Sequence, residues 1–389
     1  MCLVLMPLER RVVFHAINGI GLGHLSRQIA IALAVRELAP HTNILFVVDG
    51  GSHGLLEAAG LSYVTTPLVR DNGTSAHWPM YRKNQVYRSF AHSIVQVMRP
   101  DIILFDCFIS FPFLEAARSS SVPFAICVRK MKEMDQFFNS LAKTSSDVRL
   151  ILISHYADEI NVPDKMKEKT RFVGQIARPF SPRLAEVTGL TTTPRIVITG
   201  GGGGYPNTVS FYNVALAAFA ACRFEEPSLT GLLVTGPLFK EWRRLEPVEG
   251  VHIIPFDPEL TATFAAADLV ISQAGYNTIA EITALSVPAI CIPAQRKFDD
   301  QYERAASASV THPQIHLCSD PDPGSLAALM LRILQRPRVN SDAVPSLPGA
   351  TLAAESLIAT INNLRPSNDS LSPESLSTFR GVADDFQLA

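Results

Sequence analysis

"ADLVISQAGYNTIAEITALSVPAICIPAQRKFDDQYERA" occupies residues 267–305 and decides how the chain is read. ADLVIS has the composition of a buried strand, the following glycine marks a tight turn, and YNTIAEITAL repeats apolar residues at helical spacing. VPAICIP is a second unbroken apolar run, and a polar loop then leads into another helix at DDQYERA. Strand, turn, crossover helix and strand in that order form the unit of a parallel sheet. Gly275 lets the backbone come close to a ligand. The N–H groups of Asn277 and Thr278, with the threonine hydroxyl, open a helix and suit a diphosphate. Glu281 follows about one turn later, where a carboxylate can accept both hydroxyls of a ribose. Asp300 and Gln301 begin the next helix and can hydrogen-bond a second polyol.

The same alternation runs outward in both directions. RVVFHAI (11–17), NILFVVD (43–49), DIILFD (101–106), VPFAICV (122–128) and VRLILIS (148–154) form one series of strand-like runs. RIVITG (195–200), TGLLVTG (230–236), VHIIPF (251–256), ADLVIS and VPAICIP form a second. At 389 residues the chain exceeds what one core fills. The expectation is therefore α/β: two Rossmann-like, doubly wound parallel-sheet domains facing a central cleft. The first spans 1–180 and the second 181–365, with the break in ARPFSPRLAEVTGLTTTPR (177–195), where proline, threonine and glycine interrupt the periodicity. The second includes a helix at GATLAAESLIATINNL (349–364). Residues 366–389 are rich in Ser, Pro and Asp and read as a disordered tail.

Charge and cysteine usage narrow the class. Lys and Arg number 20 against 15 Asp and Glu over residues 1–180, and 14 against 21 in the remainder. That mild asymmetry fits a cleft between domains and lacks the basic stripe that nucleic acid requires. Six cysteines form no CxxC pair, which fits reduced core residues of a cytoplasmic protein. No apolar run is long enough to span a membrane, so any membrane contact is expected to be peripheral. The DxD-like stretch SDPDPGSLAAL (319–329) reads as a turn and helix cap, and no metal site is expected there.

Glycine loops follow the first strand of each series: NGIGLGH (18–24) and TGGGGGYPNT (199–208). Neither spells the dinucleotide GxGxxG pattern, and no P-loop GKS or GKT follows. Beyond the carboxyl ends of parallel strands, both point into one cleft if the domains face each other. Taken alone, these loops read equally well as packing turns, His24 as a helix cap and Asp106 as a strand-end cap.

Residues 267–305 resemble the nucleotide-sugar-binding region of the GT-B glycosyltransferases, which include the bacterial peptidoglycan N-acetylglucosaminyltransferase and plant and antibiotic glycosyltransferases. Those families carry HCGWNSxxE followed, after a Val-Pro strand, by DQxxNA; here the residues are QAGYNTIAE and DQYERA. GIGLGHLSRQIAIA and TGGGGGYPNT are similar to the glycine loops of the same superfamily, and the order holds over most of residues 11–364. Closest in character are bacterial predicted glycosyltransferases carrying GLGH, GGGG and AGYNT together.

The resemblance implies transfer of a sugar from a nucleoside diphosphate, UDP- or dTDP-linked, to an acceptor hydroxyl. It implies inversion, with no metal and no cofactor beyond the nucleotide-sugar substrate. Glu281 would hold the ribose. Gly275, Asn277, Thr278 and Gly201, Gly202 and Gly203 would cradle the diphosphate, and Asp300 and Gln301 would contact the sugar. The backbone near Ile254 and Phe256 would frame the base. Gln273 stands where many relatives have a phosphate-touching histidine, and Arg304 stands in place of the asparagine of DQxxNA, so phosphate binding would lean on backbone amides or Arg304. His24 would be the base, oriented by Asp106. Gly21 and Gly23 would clear space for the reacting sugars, and the loop at 69–90, with Trp78, Tyr81 and Arg82, would choose the acceptor. An epimerase or hydrolase of the same fold, and a non-catalytic nucleotide-sugar-binding partner subunit, are the competing readings.

Overall fold

The computed structural model describes residues 9–16, 21–48, 53–66, 80–144, 146–179, 196–297, 299–336 and 347–365. The apolar runs form two wholly parallel sheets. The first contains β1 (Arg10–Ala16), β2 (Thr42–Val48), β3 (Tyr63–Thr65), β4 (Ile102–Asp106), β5 (Phe124–Val128), β6 (Val148–Ile153) and β7 (Thr170–Phe172), in the order β3-β2-β1-β4-β5-β6-β7. The second contains β8 (Ile196–Thr199), β9 (Gly231–Val234), β10 (Val251–Ile254), β11 (Leu269–Ser272), β12 (Ala289–Cys291) and β13 (Ile315–Leu317), in the order β10-β9-β8-β11-β12-β13. The helices are α1 (Gly23–Leu38), α2 (Gly54–Ala58), α3 (Met80–Met98), α4 (Phe111–Ser119), α5 (Met134–Ala142), α6 (Asp164–Lys167), α7 (Thr208–Glu225), α8 (Leu260–Ala266), α9 (Tyr276–Leu285), α10 (Gln301–Thr311), α11 (Pro323–Leu334) and α12 (Gly349–Leu364).

Both faces of each sheet are covered, which is why the strands read as unbroken apolar runs rather than alternating ones. Val12, Phe14 and Ala16 of β1 point into one core, while Val13 joins Ile103 and Phe105 of β4 in another on the opposite face. Two further cores flank the second sheet. In each sheet the strand order reverses between the first and fourth strands, β1 and β4 or β8 and β11. Such a switch point opens a crevice at the carboxyl ends. The glycine loops, Asp106 and the segment from Gln273 all lie at those two crevices.

The strands β3, β7 and β13 are additional to the runs read from sequence, the expected loop at 69–90 is helical from Met80, and one expected helix packs elsewhere than expected. Residues 349–364 are expected in the second domain, but the stripe Ala350, Ala353, Ala354, Leu357 and Ile361 of α12 is buried in the first domain's core beside α1. An apolar stripe specifies that it must be covered without saying by which sheet. The expected domain break at 180–181, most of the inter-domain segment 177–195 and the tail at 366–389 lie outside the described residues.

Candidate active site

At the first switch point, β4 ends on Asp106 and α1 begins with Gly23 and His24. His24 Nδ1 lies 2.6 Å from Asp106 Oδ1. Arg27, three residues along the same helix, donates from Nε to Asp106 Oδ2 at 2.9 Å and from Nη2 to Oδ1. Asp106 is 2% exposed and Arg27 1%. Burial alone would raise the Asp106 carboxyl, but the Arg27 charge and the His24 hydrogen bond hold it down at about 2. Burial would lower the His24 imidazole, yet the hydrogen bonds to Asp106 and Cys107 and the Asp106 charge together outweigh this and raise it to about 9. One carboxylate therefore holds two cations in the free protein. With Nδ1 on Asp106, Nε2 is the imidazole nitrogen left for chemistry.

His24, Asp106 and Cys107 offer three ligand atoms within 4.8 Å of one another. Arg27 bonds both carboxylate oxygens and lies 3.6 Å from Cys107 Sγ. In the SDPDP stretch, Asp322 caps α11 by accepting from the Gly324 and Ser325 N–H groups at 3.0 Å.

The second switch point collects most of the expected donor-site residues. Gly275 caps α9 in an extended conformation, leaving the helix start without a side-chain cap. Asn277 Nδ2 donates to the Gly23 carbonyl at 3.0 Å, joining the donor helix to the helix that carries His24. The two glycine loops also meet: a Cβ on Gly202 would stand 2.9 Å from Gly21 Cα. Gly201 and Gly203 have positive φ. At Gly203 a Cβ would come within 2.2 Å of the Thr235 carbonyl, so this position tolerates no side chain. Thr278 follows Asn277 in the first turn of α9.

Other expected residues are engaged within the protein. Glu281 is 4% exposed and faces Arg178 Nε at 3.7 Å, with burial raising its carboxyl. Asp300 caps α10 by accepting from Glu303 N at 3.0 Å, and Gln301 Oε1 accepts from Ala294 N at 2.9 Å. Ile254 gives its carbonyl to Thr235 N at 3.0 Å. Phe256 lies against Gly54, where a Cβ would meet its ring at 2.7 Å. Arg304 donates to Asp299 and, at 2.8 Å, to the Ala274 carbonyl. Asp299 also takes Arg129 of the first domain at 2.7 Å, so one carboxylate is shared between two guanidinium groups. Trp78, and the side chains of Tyr81 and Arg82, lie outside the described residues.

Three residues that sequence reasoning passed over complete the cleft. Arg27 is one, and its spacing from His24 on one helix face was the available signal. Tyr276 crosses between domains, its hydroxyl donating to the Ser154 carbonyl and accepting from Ile176 N at 3.3 Å. Arg296 is the third. It donates from Nη2 to Gln273 Oε1 at 2.6 Å and from Nη1 to Asn207 Oδ1 at 2.9 Å, with its guanidinium carbon 3.4 Å from the Tyr205 ring centroid. The missing histidine at Gln273 was its only trace in the sequence.

Comparison with known proteins agrees with this architecture. Residues 232–343 match the glycosyltransferase family 28 C-terminal domain. The chain is 26% identical over 295 residues to the UDP-N-acetylglucosamine--N-acetylmuramyl-(pentapeptide) pyrophosphoryl-undecaprenol N-acetylglucosamine transferase of Paenarthrobacter aurescens (strain TC1), covering 70% of this chain and 73% of that one. Among solved structures, the spinosyn forosaminyltransferase SpnP superposes with a TM-score of 0.59 at 14% identity, over 96% of this chain and 100% of that one. A UDP-glucosyltransferase from Polygonum tinctorium gives 0.59 at 13% identity, over 92% and 100%. The superpositions show the fold. With the domain match and the curated relative, they support a nucleotide-sugar glycosyltransferase of the GT-B fold, similar to the peptidoglycan N-acetylglucosaminyltransferases.

Proposed function

We propose that the chain, a glycosyltransferase of the GT-B fold, moves a sugar from a UDP- or dTDP-linked donor to an acceptor hydroxyl with inversion at the anomeric carbon. The observation that carries this reading is the His24–Asp106 pair, 2.6 Å apart, at one switch point, joined through Gly23 and Asn277 to the uncapped start of α9 at the other. The acceptor oxygen attacks the anomeric carbon as its proton passes to His24 Nε2. The bond from that carbon to the phosphate oxygen breaks, and its electron pair leaves on the nucleoside diphosphate. Asp106 fixes the imidazole tautomer and stabilises the imidazolium that forms. The α9 start offers N–H groups to the departing charge, so the step runs without a metal.

His24 must shed its proton before it can act, and with a pKa of about 9 it is mostly charged at neutral pH. Activity therefore climbs with pH toward that value. Glu281 binds the ribose only if Arg178 yields its place. Choice of the acceptor is assigned to residues 69–90, with Trp78, Tyr81 and Arg82. Work at a cytoplasmic membrane surface is compatible with the described residues, none of whose helices is long and apolar enough to cross a bilayer.

Thermal unfolding with UDP, dTDP, GDP and ADP tests the donor site. A ligand at about 100 times its Kd adds roughly 2.7 kcal/mol of stability. The expected result is stabilisation by UDP or dTDP in both wild type and His24→Ala. Release of nucleoside diphosphate from the matching donor, measured with acceptors, is then lost in the variant and unchanged by EDTA. Absence of any stabilisation rejects the nucleotide-sugar site, and full turnover by His24→Ala rejects the base. Equal release without any acceptor points to hydrolysis.

A further inference from the structure

Arg296 is a second-domain cation that no acid claims among the described residues. Its Nη groups rest on the neutral amides of Gln273 and Asn207, it stacks on Tyr205, and its Nε has no partner. Asp299, the acid whose charge reaches it, is taken up by Arg129 and Arg304. Among the described residues, Arg296 forms no ion pair. A partly buried guanidinium held by uncharged groups keeps its full charge and is ready for an anion.

Its surroundings share that character. Asn207 immediately precedes α7, and Gln273 lies two residues before the Gly275 cap of α9; neither helix has a side-chain cap. Thr208, the first residue of α7, is fully buried and its hydroxyl has no partner. Two helix starts without side-chain caps and one cation that forms no ion pair among the described residues thus converge at the β8–β11 switch point. Lys132 of the first domain donates to the Arg296 carbonyl at 3.2 Å, which puts this cation at the cleft between domains.

We propose that Arg296 grips the donor diphosphate and takes up the charge of the departing nucleoside diphosphate, standing in for the imidazole absent at Gln273. The inference rests on the nucleotide-sugar reading above. As the bond between the anomeric carbon and the phosphate oxygen breaks, its electron pair moves onto that oxygen. The Arg296 N–H donors stabilise the resulting charge without transferring a proton. Gln273, Asn207 and Tyr205 are positioning residues that fix the plane of the guanidinium.

Binding of UDP, dTDP and the nucleosides uridine and thymidine is measured by calorimetry for wild type, Arg296→Gln and Arg296→Lys. Arg296→Gln is expected to weaken the bound diphosphate by about tenfold to a hundredfold, the range for a charge-assisted hydrogen bond, while nucleoside binding stays within about twofold. Arg296→Lys recovers part of the loss, since it keeps the charge but not the planar fork. With the matching donor, kcat falls more than KM rises, because the charge to be stabilised grows as the bond breaks. Unchanged diphosphate affinity in Arg296→Gln overturns the assignment. Equal loss of nucleoside and diphosphate binding also overturns it, since Arg296 would then only be holding the loop. If wild type binds no diphosphate at all, the nucleotide-sugar reading itself falls and this one with it. Should Arg296→Gln fail to fold, diphosphate binding by Arg296→Lys at full wild-type strength and kcat decides against the forked contact.

Discussion

Arg27 and His24 share a single carboxylate, Asp106, with Arg27 on both of its oxygens and His24 on one. A lone aspartate would pull the imidazole's pKa higher still; the guanidinium draws off part of that field and keeps Asp106 ionised at about 2. A buried guanidinium and a partly buried imidazolium on one anion leave the first switch point with net positive charge, facing the start of α9.

Arg27→Gln should therefore raise the pKa that governs the base above about 9 and lower kcat/KM at pH 7 by about tenfold for each unit of that rise. Asp106→Asn moves the limb the other way, toward lower pH, while losing the tautomer control worth about 10²–10⁴ in rate. Profiles of kcat/KM from pH 6 to 10 distinguish them. A limb that stays put in both variants would show that His24 is not the group being titrated.

The glycines should separate in their effects. A Cβ on Gly21 meets nothing within 4 Å, so Gly21→Ala should leave the melting temperature unchanged. Gly203→Ala combines a φ of +79° with a clash on its own domain, and should cost at least about 1–2 kcal/mol of folding stability. Gly202→Ala instead strikes Gly21 of the other domain, so it should spare folding and weaken cleft closure. Melting curves beside turnover read this out; a large stability loss in Gly202→Ala would contradict it.

Leu357 is fully buried in the first domain's core although it follows the second domain in sequence. Leu357→Ala should cost about 2–5 kcal/mol. Hydrogen exchange should quicken in α1 and β2 while the β8–β11 amides keep their protection. Faster exchange confined to β8–β13 would return α12 to the second domain.

The sequence was most legible where strands were long and buried: β1, β4, β5 and β6 stand within a residue or two of their apolar runs, and the strand-end position of Asp106 followed from β4. Edge strands β3, β7 and β13 were missed because three residues are too few to show a period. The resemblance to GT-B glycosyltransferases paired His24 with Asp106, and both sit at strand-to-helix junctions of one sheet, which topology brings together. Arg296 could not be singled out, since QRKF in a polar loop looks like solvated surface until folding carries it onto Gln273 and Asn207. The same holds for Arg304, whose partner Asp299 is near in sequence but also takes Arg129, which only the fold brings there from the other domain.

Two histidines should bend the stability of the protein in opposite directions with pH. His15 is 1% exposed among Phe105 and Phe113, with one ring nitrogen 3.0 Å from the Tyr87 hydroxyl, and burial pushes it down to about 3. Its folded pKa lies below the unfolded value of 6.5, so its contribution is complete above pH 6.5 and is lost as pH falls toward 3. His24 is raised to about 9, so its contribution is complete below 6.5 and is lost as pH climbs toward 9. Each group changes stability by about 1.4 kcal/mol per pH unit within its window. Urea unfolding from pH 5 to 8.5 should show a maximum near 6.5 in wild type. His15→Gln should flatten only the acid side and His24→Gln only the alkaline side. An acid limb equally steep in His15→Gln would mean that other groups carry it.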